Sequence, residues 1–139
     1  MLRSLIILLL AFPFRLAAQG SLSLVVELLK PPTPGATVNV LICSTAHCWA
    51  ESTGGVTHRE PATYPTTRLT IADLPPGQWA IKVFVDDNTN GKLDTNILGI
   101  PTEPYGFSNN AMRPMGPPYL ADATFTVREG VNVHRIKMR

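Results

Sequence analysis

Oxygen-bearing side chains recur at alternate positions in residues 86–94, and their types and spacing could do chemistry. Aspartate and asparagine offer the hard oxygen ligands that calcium takes, and Gly91 matches the glycine at the sharp turn of an EF-hand loop. In that frame the predicted ligands are the side chains of Asp86, Asn88, Asn90 and Asp94 and the backbone carbonyl of Lys92. The pattern therefore predicts a calcium site in this loop.

The loop departs from an EF-hand at its last position, where Ile97 replaces the bidentate glutamate. Glu103 could fold back as an extra ligand, and the alternative for it is a solvated loop carboxylate. Two carboxylates just balance a divalent charge, so the expected affinity lies in the weak range of about 10⁻⁴ to 10⁻³ M. The alternative for the whole loop is a hairpin turn, because Asn90-Gly91 between two apolar runs is itself a turn signal.

Short apolar alternations punctuated by 13 prolines and 10 glycines surround this loop, without a sustained helical period. The predicted fold is all-β: an antiparallel two-sheet sandwich of about seven strands, of immunoglobulin-like or transthyretin-like type. The core residues predicted from the alternation are Trp79, Ile81, Val83 and Val85 before the loop, and Leu24, Val26, Val40 and Phe125 elsewhere. Asp86 is expected on the opposite, polar face, at the point where the strand ends.

The last predicted strand, over residues 131–138, changes its apolar phase between Val133 and Ile136. One extra residue in a strand moves every later side chain to the other face of the sheet. We therefore expect a β-bulge between these two positions.

The first twenty residues have the pattern of a secretory signal peptide. Arg3 precedes an apolar run over residues 5–12 and small residues follow, so that cleavage after Ala18 and cleavage after Gly20 both fit. No later segment approaches the roughly 20 apolar residues that a membrane helix needs. We expect a secreted or periplasmic protein with one domain over residues 21–139 and no transmembrane segment.

A long segment over residues 97–118 carries five prolines and three glycines and shows little alternation. Its aromatic side chains would be costly to leave in water, so we expect it to pack over one end of the sandwich. It either covers an exposed sheet edge or offers a binding surface for a glycan, peptide or partner protein. The residues of this possible binding loop are Tyr105, Phe107, Ser108, Asn109 and Asn110.

Cys43 and Cys48 are the two cysteines of the chain. In an exported protein they meet an oxidising compartment, which favours a short-range disulfide. The alternatives are a pair of free thiols and a soft-metal site that includes His47.

Two stretches carry a resemblance to known sequences. Residues 86–111 include the Asn/Asp loop, Gly99-Ile100-Pro101, and Tyr105-Gly106-Phe107-Ser108-Asn109-Asn110-Ala111, and residues 74–83 precede them. Both resemble a secreted bacterial family, the domain-of-unknown-function family number 2141, and the second is also loosely similar to carboxypeptidase regulatory-like and transthyretin-like sandwiches. The resemblance implies a small periplasmic or extracellular β-sandwich and carries no established activity.

The sequence does not favour catalysis, because His47, His58 and His134 are scattered and no serine or cysteine lies in a nucleophile elbow. The formal charge of +2 is too small to indicate nucleic acid. The predicted function is a non-catalytic, calcium-stabilised module for binding or adhesion at the cell envelope, with an envelope protein or glycan as partner. The alternatives are a purely structural secreted domain without an ion and, more distantly, a hydrolase.

Overall fold

The structure is a computed structural model and describes residues 18–139; almost all of the predicted signal peptide lies outside the described residues. Its elements are β1 (Gly20–Glu27), β2 (Thr37–Cys43), α1 (Ala46–Glu51), β3 (Val56–Pro61), β4 (Thr66–Leu74), β5 (Gly77–Asp86), β6 (Tyr105–Phe107), a 3-10 turn (Ser108–Asn110), α2 (Leu120–Ala123), β7 (Phe125–Val127) and β8 (Gly130–Lys137). In this part of the chain, neither helix has the length and apolar character needed to cross a bilayer.

The eight strands of residues 18–139 form two sheets. The first has the order β4-β1-β8, and the second has the order β3-β2-β5-β6, with β7 also paired to β5. The alternation of apolar and polar residues along the strands gives each sheet one apolar face, and these faces share one core. The all-β, two-sheet class predicted from the sequence is confirmed.

The core contains most of the residues predicted for it. The side chains of Ile81, Val83 and Val85 on β5 are at most 2% exposed, and they pack with those of β1, β2, β4 and β8. Trp79 and Phe125 are only partly buried and pack against the edge of this core. Both lie where β5 pairs with the short strand β7, at the end of the apolar layer.

Strands β1 and β8 pair in parallel, so the prediction of a purely antiparallel sandwich is wrong on this point. The two strands lie at opposite ends of the described chain and are not joined by a hairpin. Only a tight hairpin forces neighbouring strands to run antiparallel.

The β-bulge predicted in the last strand is also wrong, because the register between β1 and β8 is continuous. Val131 and Val133 are 79% and 62% exposed, whereas Ile136 is buried on the other face. The apolar phase changes because two valines face solvent. Between them and Ile136, His134 lies inward and stacks on the ring of Phe125 at 4.2 Å between centroids.

One end of the second sheet is closed by a disulfide between Cys43, the last residue of β2, and Cys48 in α1, which confirms the predicted bond. The side chain of Thr45 caps α1 by accepting a hydrogen bond from the backbone N–H of Cys48. Trp49 packs against Phe107 and donates its indole N–H to the carbonyl of Pro118. We call this region the disulfide end.

The segment over residues 97–118 packs on the sandwich only in part: Phe107 and Ser108 are buried, whereas Ile97, Leu98, Ile100 and Met115 are exposed. It also contains a strand and a 3-10 turn that its sequence did not indicate. Three residues of β6 pair with β5, from Lys82 to Phe84. The three residues of Tyr105–Phe107 are too few to show alternation, and the surrounding proline and glycine residues are typical of a loop.

Candidate cation-binding loop

Asp86 ends β5, and its carboxylate is fully buried by the loop that follows it. One carboxylate oxygen accepts the backbone N–H of Asn90 at 3.1 Å, and the other accepts that of Gly91 at 2.8 Å. A buried charge needs such donors, because burial removes it from water. The first predicted ligand therefore lies at the centre of the loop.

Two asparagine side chains fold the loop tightly around this carboxylate. The side-chain oxygen of Asn88 accepts the backbone N–H of Asn90 at 3.1 Å, and that of Asn90 accepts the N–H of Lys92 at 2.8 Å. These are Asx turns, in which the side chain takes the place of a backbone carbonyl. Gly91 has a φ of +78°, which a glycine adopts without strain, and this explains its place in the loop.

The carboxylate of Asp94 closes the loop from its far side. It accepts the side-chain N–H groups of Asn88 at 2.5 Å and of Asn90 at 2.9 Å. The structure thus joins the four predicted ligand side chains, those of Asp86, Asn88, Asn90 and Asp94, in one hydrogen-bonded network. Lys92 enters it through its backbone N–H.

Glu103 returns to the loop from the following segment and is buried, with 7% of its surface exposed. Its carboxylate accepts the backbone N–H groups of Asp87 at 2.8 Å and of Asp94 at 2.9 Å. It is therefore not the solvated carboxylate of the alternative interpretation. By bonding both ends of the loop, it fixes the distance between them.

Three carboxylates, those of Asp86, Asp94 and Glu103, each accept two N–H bonds in this network. A carboxylate has about four lone-pair sites, so each keeps acceptor capacity for a further donor or a cation. In residues 18–139, no group of three or more histidine, cysteine, aspartate or glutamate residues is placed to hold a metal ion. A cation here would depend on amide and backbone oxygens beside two carboxylates.

The residues of the possible binding loop make contacts inside the protein. The hydroxyl of Ser108 accepts the backbone N–H of Ile81 at 2.9 Å and donates to the carbonyl of Ala123. The remaining residues of the set pack or bond as follows: Tyr105 and Phe107 meet edge to face, Asn109 donates to the carbonyls of Asp122 and Thr124, and Asn110 accepts the N–H of Lys137. These contacts join the two sheets, and a binding role for the segment stays a prediction.

Asn96 is a structural residue that the sequence analysis missed. Its side-chain oxygen accepts the backbone N–H groups of Leu98 and Ile100 at 2.9 and 3.0 Å, which folds a second turn directly after the loop. An asparagine followed three residues later by a glycine, here Gly99, is a turn signal that could have identified it.

Two titratable groups are shifted by burial. Desolvation lowers the pKa of Lys82, whose ammonium lies over the ring of Trp49 and donates to the hydroxyl of Ser52. Desolvation also lowers the pKa of His134, whose Nε2 atom accepts the backbone N–H of Asn109. Both groups have structural partners at or near the disulfide end.

A cavity of about 290 Å³ opens beside the base of the loop. Apolar side chains such as Leu28, Val85 and Met138 line it, and Lys30 and Arg139 stand among its polar residues. None of the three histidines lines it.

The sequence model of one family matches residues 29–135, which is more than half of the chain, and the family is described as "Uncharacterized protein conserved in bacteria (DUF2141)". The match covers the Asn/Asp loop and both cysteines. A comparison with curated proteins found no match, and neither did a comparison with solved structures.

Proposed function

This chain belongs to that uncharacterised bacterial family, and from this premise we propose that it is a non-catalytic, exported binding module of the cell envelope whose Asn/Asp loop holds one calcium ion. The observation that supports the proposal is the network of residues 86–94, which holds oxygen ligands at calcium-loop spacing around one buried carboxylate. Its partner would be an envelope protein, a glycan or another envelope component.

The hydrogen bonds of the loop favour this function over a simple turn. An Asn-Gly turn needs two residues, yet here Asp86 is buried and Glu103 is committed to the N–H groups of Asp87 and Asp94. Hydrogen bonds that fix the orientation of ligand side chains raise the affinity of a metal site. The cost of burying two carboxylates is then offset by the cation as well as by N–H donors.

Calcium would be held by Asp86, Asn88, Asn90 and Asp94 together with the carbonyl of Lys92. Asp94 now accepts the amide N–H groups of both asparagines, so binding exchanges these two bonds for the ion. This exchange and the charge of only two carboxylates both lower the affinity. We therefore propose a site of the extracellular class, with a dissociation constant of about 10⁻⁴ to 10⁻³ M.

Thermal unfolding in calcium, in magnesium and in a chelator tests this function. Calcium at ten times the dissociation constant should stabilise the fold by about 1.4 kcal/mol, which is a rise of a few degrees in Tm. Asp94→Asn should abolish the rise, whereas Glu129→Gln, which removes an exposed carboxylate in the turn before β8, should keep it. Equal melting temperatures of the parent protein in calcium and in chelator would leave the purely structural domain as the better account.

Export is supported by the leader pattern, and the position of Gly20 in the fold bears on the site of cleavage. Gly20 is the first residue of β1, and a Cβ atom there would lie 2.6 Å from the carbonyl oxygen of Arg128, so this strand end is closely packed. Cleavage after Ala18 keeps this residue in the strand, whereas cleavage after Gly20 removes it. Mass spectrometry of the exported protein should find Gln19 as the first residue.

A further inference from the structure

Directly after the calcium loop, three large aliphatic side chains project into solvent. Ile97, Leu98 and Ile100 are 102%, 76% and 56% exposed, and Gly99 lies between the last two. We call residues 97–100 the apolar tip. Exposed apolar groups that are contiguous mark an interaction site more often than single exposed residues do.

The apolar tip is held in one conformation by its own backbone. The N–H of Asn96 donates to the carbonyl of Ile100, the N–H of Gly99 returns to the carbonyl of Asn96, and Thr95 forms a β-bridge with Pro101. The side-chain oxygen of Asn96 holds the N–H groups of Leu98 and Ile100. The aliphatic side chains are therefore presented outward by a fixed turn.

These hydrogen bonds also lower the cost of moving the tip out of water. The backbone N–H groups of residues 96, 98, 99 and 100 all donate within the turn. An unsatisfied backbone group in an apolar medium costs several kcal/mol, which is why segments that enter lipid satisfy their own backbone. Three donors of the tip and that of the preceding Asn96 would carry no such cost.

Three other exposed apolar residues of the described chain, Val131, Val133 and Tyr119, have different surroundings. Val131 and Val133 lie on the outer face of β8 beside Arg135 on the same strand. Tyr119 is 66% exposed, but the guanidinium of Arg113 lies over its ring at 4.8 Å. The apolar tip instead projects from the surface. A fluid bilayer can surround such a projection without a complementary pocket.

The cations of this end are more exposed than most of its carboxylates, which favours contact with an anionic surface. The carboxylates of Asp86, Asp87, Asp94 and Glu103 accept backbone or amide N–H bonds and are buried or half-buried, whereas Glu60 on β3 is exposed beside Arg59. The cations are exposed. Lys92 lies in the loop, and the guanidinium of Arg59 lies so close to Gly91 that a Cβ atom added there would be 3.5 Å from it. Lys30 and Arg139 line the cavity beside Glu103.

We propose that the apolar tip inserts into a phospholipid bilayer that carries anionic headgroups, with the surrounding cations on the phosphates. The inference deepens the proposed binding role at the envelope by naming its partner as lipid, and it does not require the calcium ion. Side chains that enter the headgroup and acyl boundary reach a depth of about 5–10 Å. The three side chains of the tip are large and apolar, which suits them to this boundary.

Co-sedimentation with vesicles of phosphatidylcholine and phosphatidylglycerol tests the proposal. Removing one aliphatic side chain from lipid should lower the partition coefficient about tenfold, so Ile97→Ser combined with Leu98→Ser should lower it about a hundredfold. The matched control is Val131→Ser combined with Val133→Ser, which removes two exposed aliphatic side chains from β8 and should bind like the parent protein.

Two further measurements separate the outcomes. Leu98→Trp should show a blue shift of its fluorescence with vesicles, and Arg59→Gln combined with Lys92→Gln should weaken binding to anionic but not to neutral vesicles.

If the tip variant binds vesicles as the parent does, or if the parent binds none, the proposal is overturned. Loss of a self-association by the tip variant in the absence of lipid would assign the tip to a protein contact instead. A calcium-dependent Tm without vesicle binding would overturn this inference and leave the calcium function standing.

Discussion

The two ends of the second sheet treat apolar and charged groups in opposite ways. At the disulfide end, Trp49 and Phe107 are buried against each other and the ammonium of Lys82 covers the indole ring. At the loop end, Asp86 and Glu103 are buried, whereas the aliphatic side chains of the apolar tip face solvent. Strands β2 and β5 run through both ends, so the same sheet supports the two arrangements.

This difference separates a region whose contacts stabilise the fold from the region for which we propose an interaction. Burying apolar groups and adding a covalent bond stabilise a fold, and the disulfide end does both. Burying carboxylates while exposing aliphatic side chains costs free energy on both counts. A region that keeps such a cost in its fold is a candidate for function, which is why we propose that the function of this protein lies at the loop end.

The largest expected effect comes from removing the buried carboxylate of the loop end. Asp86→Ala leaves the N–H groups of Asn90 and Gly91 without their acceptor, and hydrogen bonds to a charged group contribute about 1.5–3 kcal/mol each. We expect a loss of about 3 kcal/mol or more in the free energy of unfolding, measured by urea denaturation. Glu129→Ala should change it little, and equal losses for both variants would show that the loop does not organise this end.

A smaller effect is expected from opening the disulfide end. In the chain-entropy treatment, a bond that closes so short a loop contributes about 2 kcal/mol. Reductant should therefore lower the Tm of the parent protein and leave unchanged that of a variant with Cys43→Ala and Cys48→Ala. A Tm of the parent that does not respond to complete reduction, verified by intact mass, would contradict the stabilising role of the bond.

The pH dependence tests the inward position of His134. Its pKa in the folded state is lowered by burial, so between the ordinary pKa of 6.5 and that lower pKa the unfolded chain binds more protons than the folded one. The contribution of His134 to stability is thus fully present above pH 6.5 and is lost as the pH decreases through this window. A protonated Nε2 can no longer accept the N–H of Asn109. His134→Gln should flatten the decrease in Tm between about pH 7 and about pH 5, and an unchanged slope would contradict this position.

The smallest effect on stability is expected at the apolar tip. Ile97→Ser and Leu98→Ser remove side chains that are 102% and 76% exposed, so each should change the free energy of unfolding by less than about 0.5 kcal/mol. Urea denaturation measures this directly. A loss of about 2 kcal/mol would mean that the tip packs on the fold and is not free for a bilayer.

The sequence alone predicted the features that follow from periodicity and compartment. Alternation identified the buried face of β5, and two cysteines in a chain that we predict to be exported identified the disulfide. It did not predict the parallel pairing of β1 with β8, because alternation carries no information about the direction of a neighbouring strand. Nor did it predict β6, whose three residues are too few to show a period.

For the candidate site, the spacing predicted which side chains of the loop come together but not what holds them. Asp86, Asn88 and Asn90 meet because alternate positions of a tight loop face inward. That Glu103 would bond the N–H groups of Asp87 and Asp94 depends on long-range backbone geometry. Such contacts have no local signal in the sequence.

A calcium titration followed by ¹H–¹⁵N NMR correlation spectra tests most directly the claim that the function lies at the loop end. The account predicts that the amide signals of Asn90, Gly91 and Lys92 shift as calcium rises to about 10 mM, with saturation in the millimolar range. The signals of Cys48 and Trp49 at the disulfide end should stay in place, and Asp94→Asn should remove the shifts. Amide signals of the loop that do not move at this concentration, or shifts centred on the disulfide end, would contradict it.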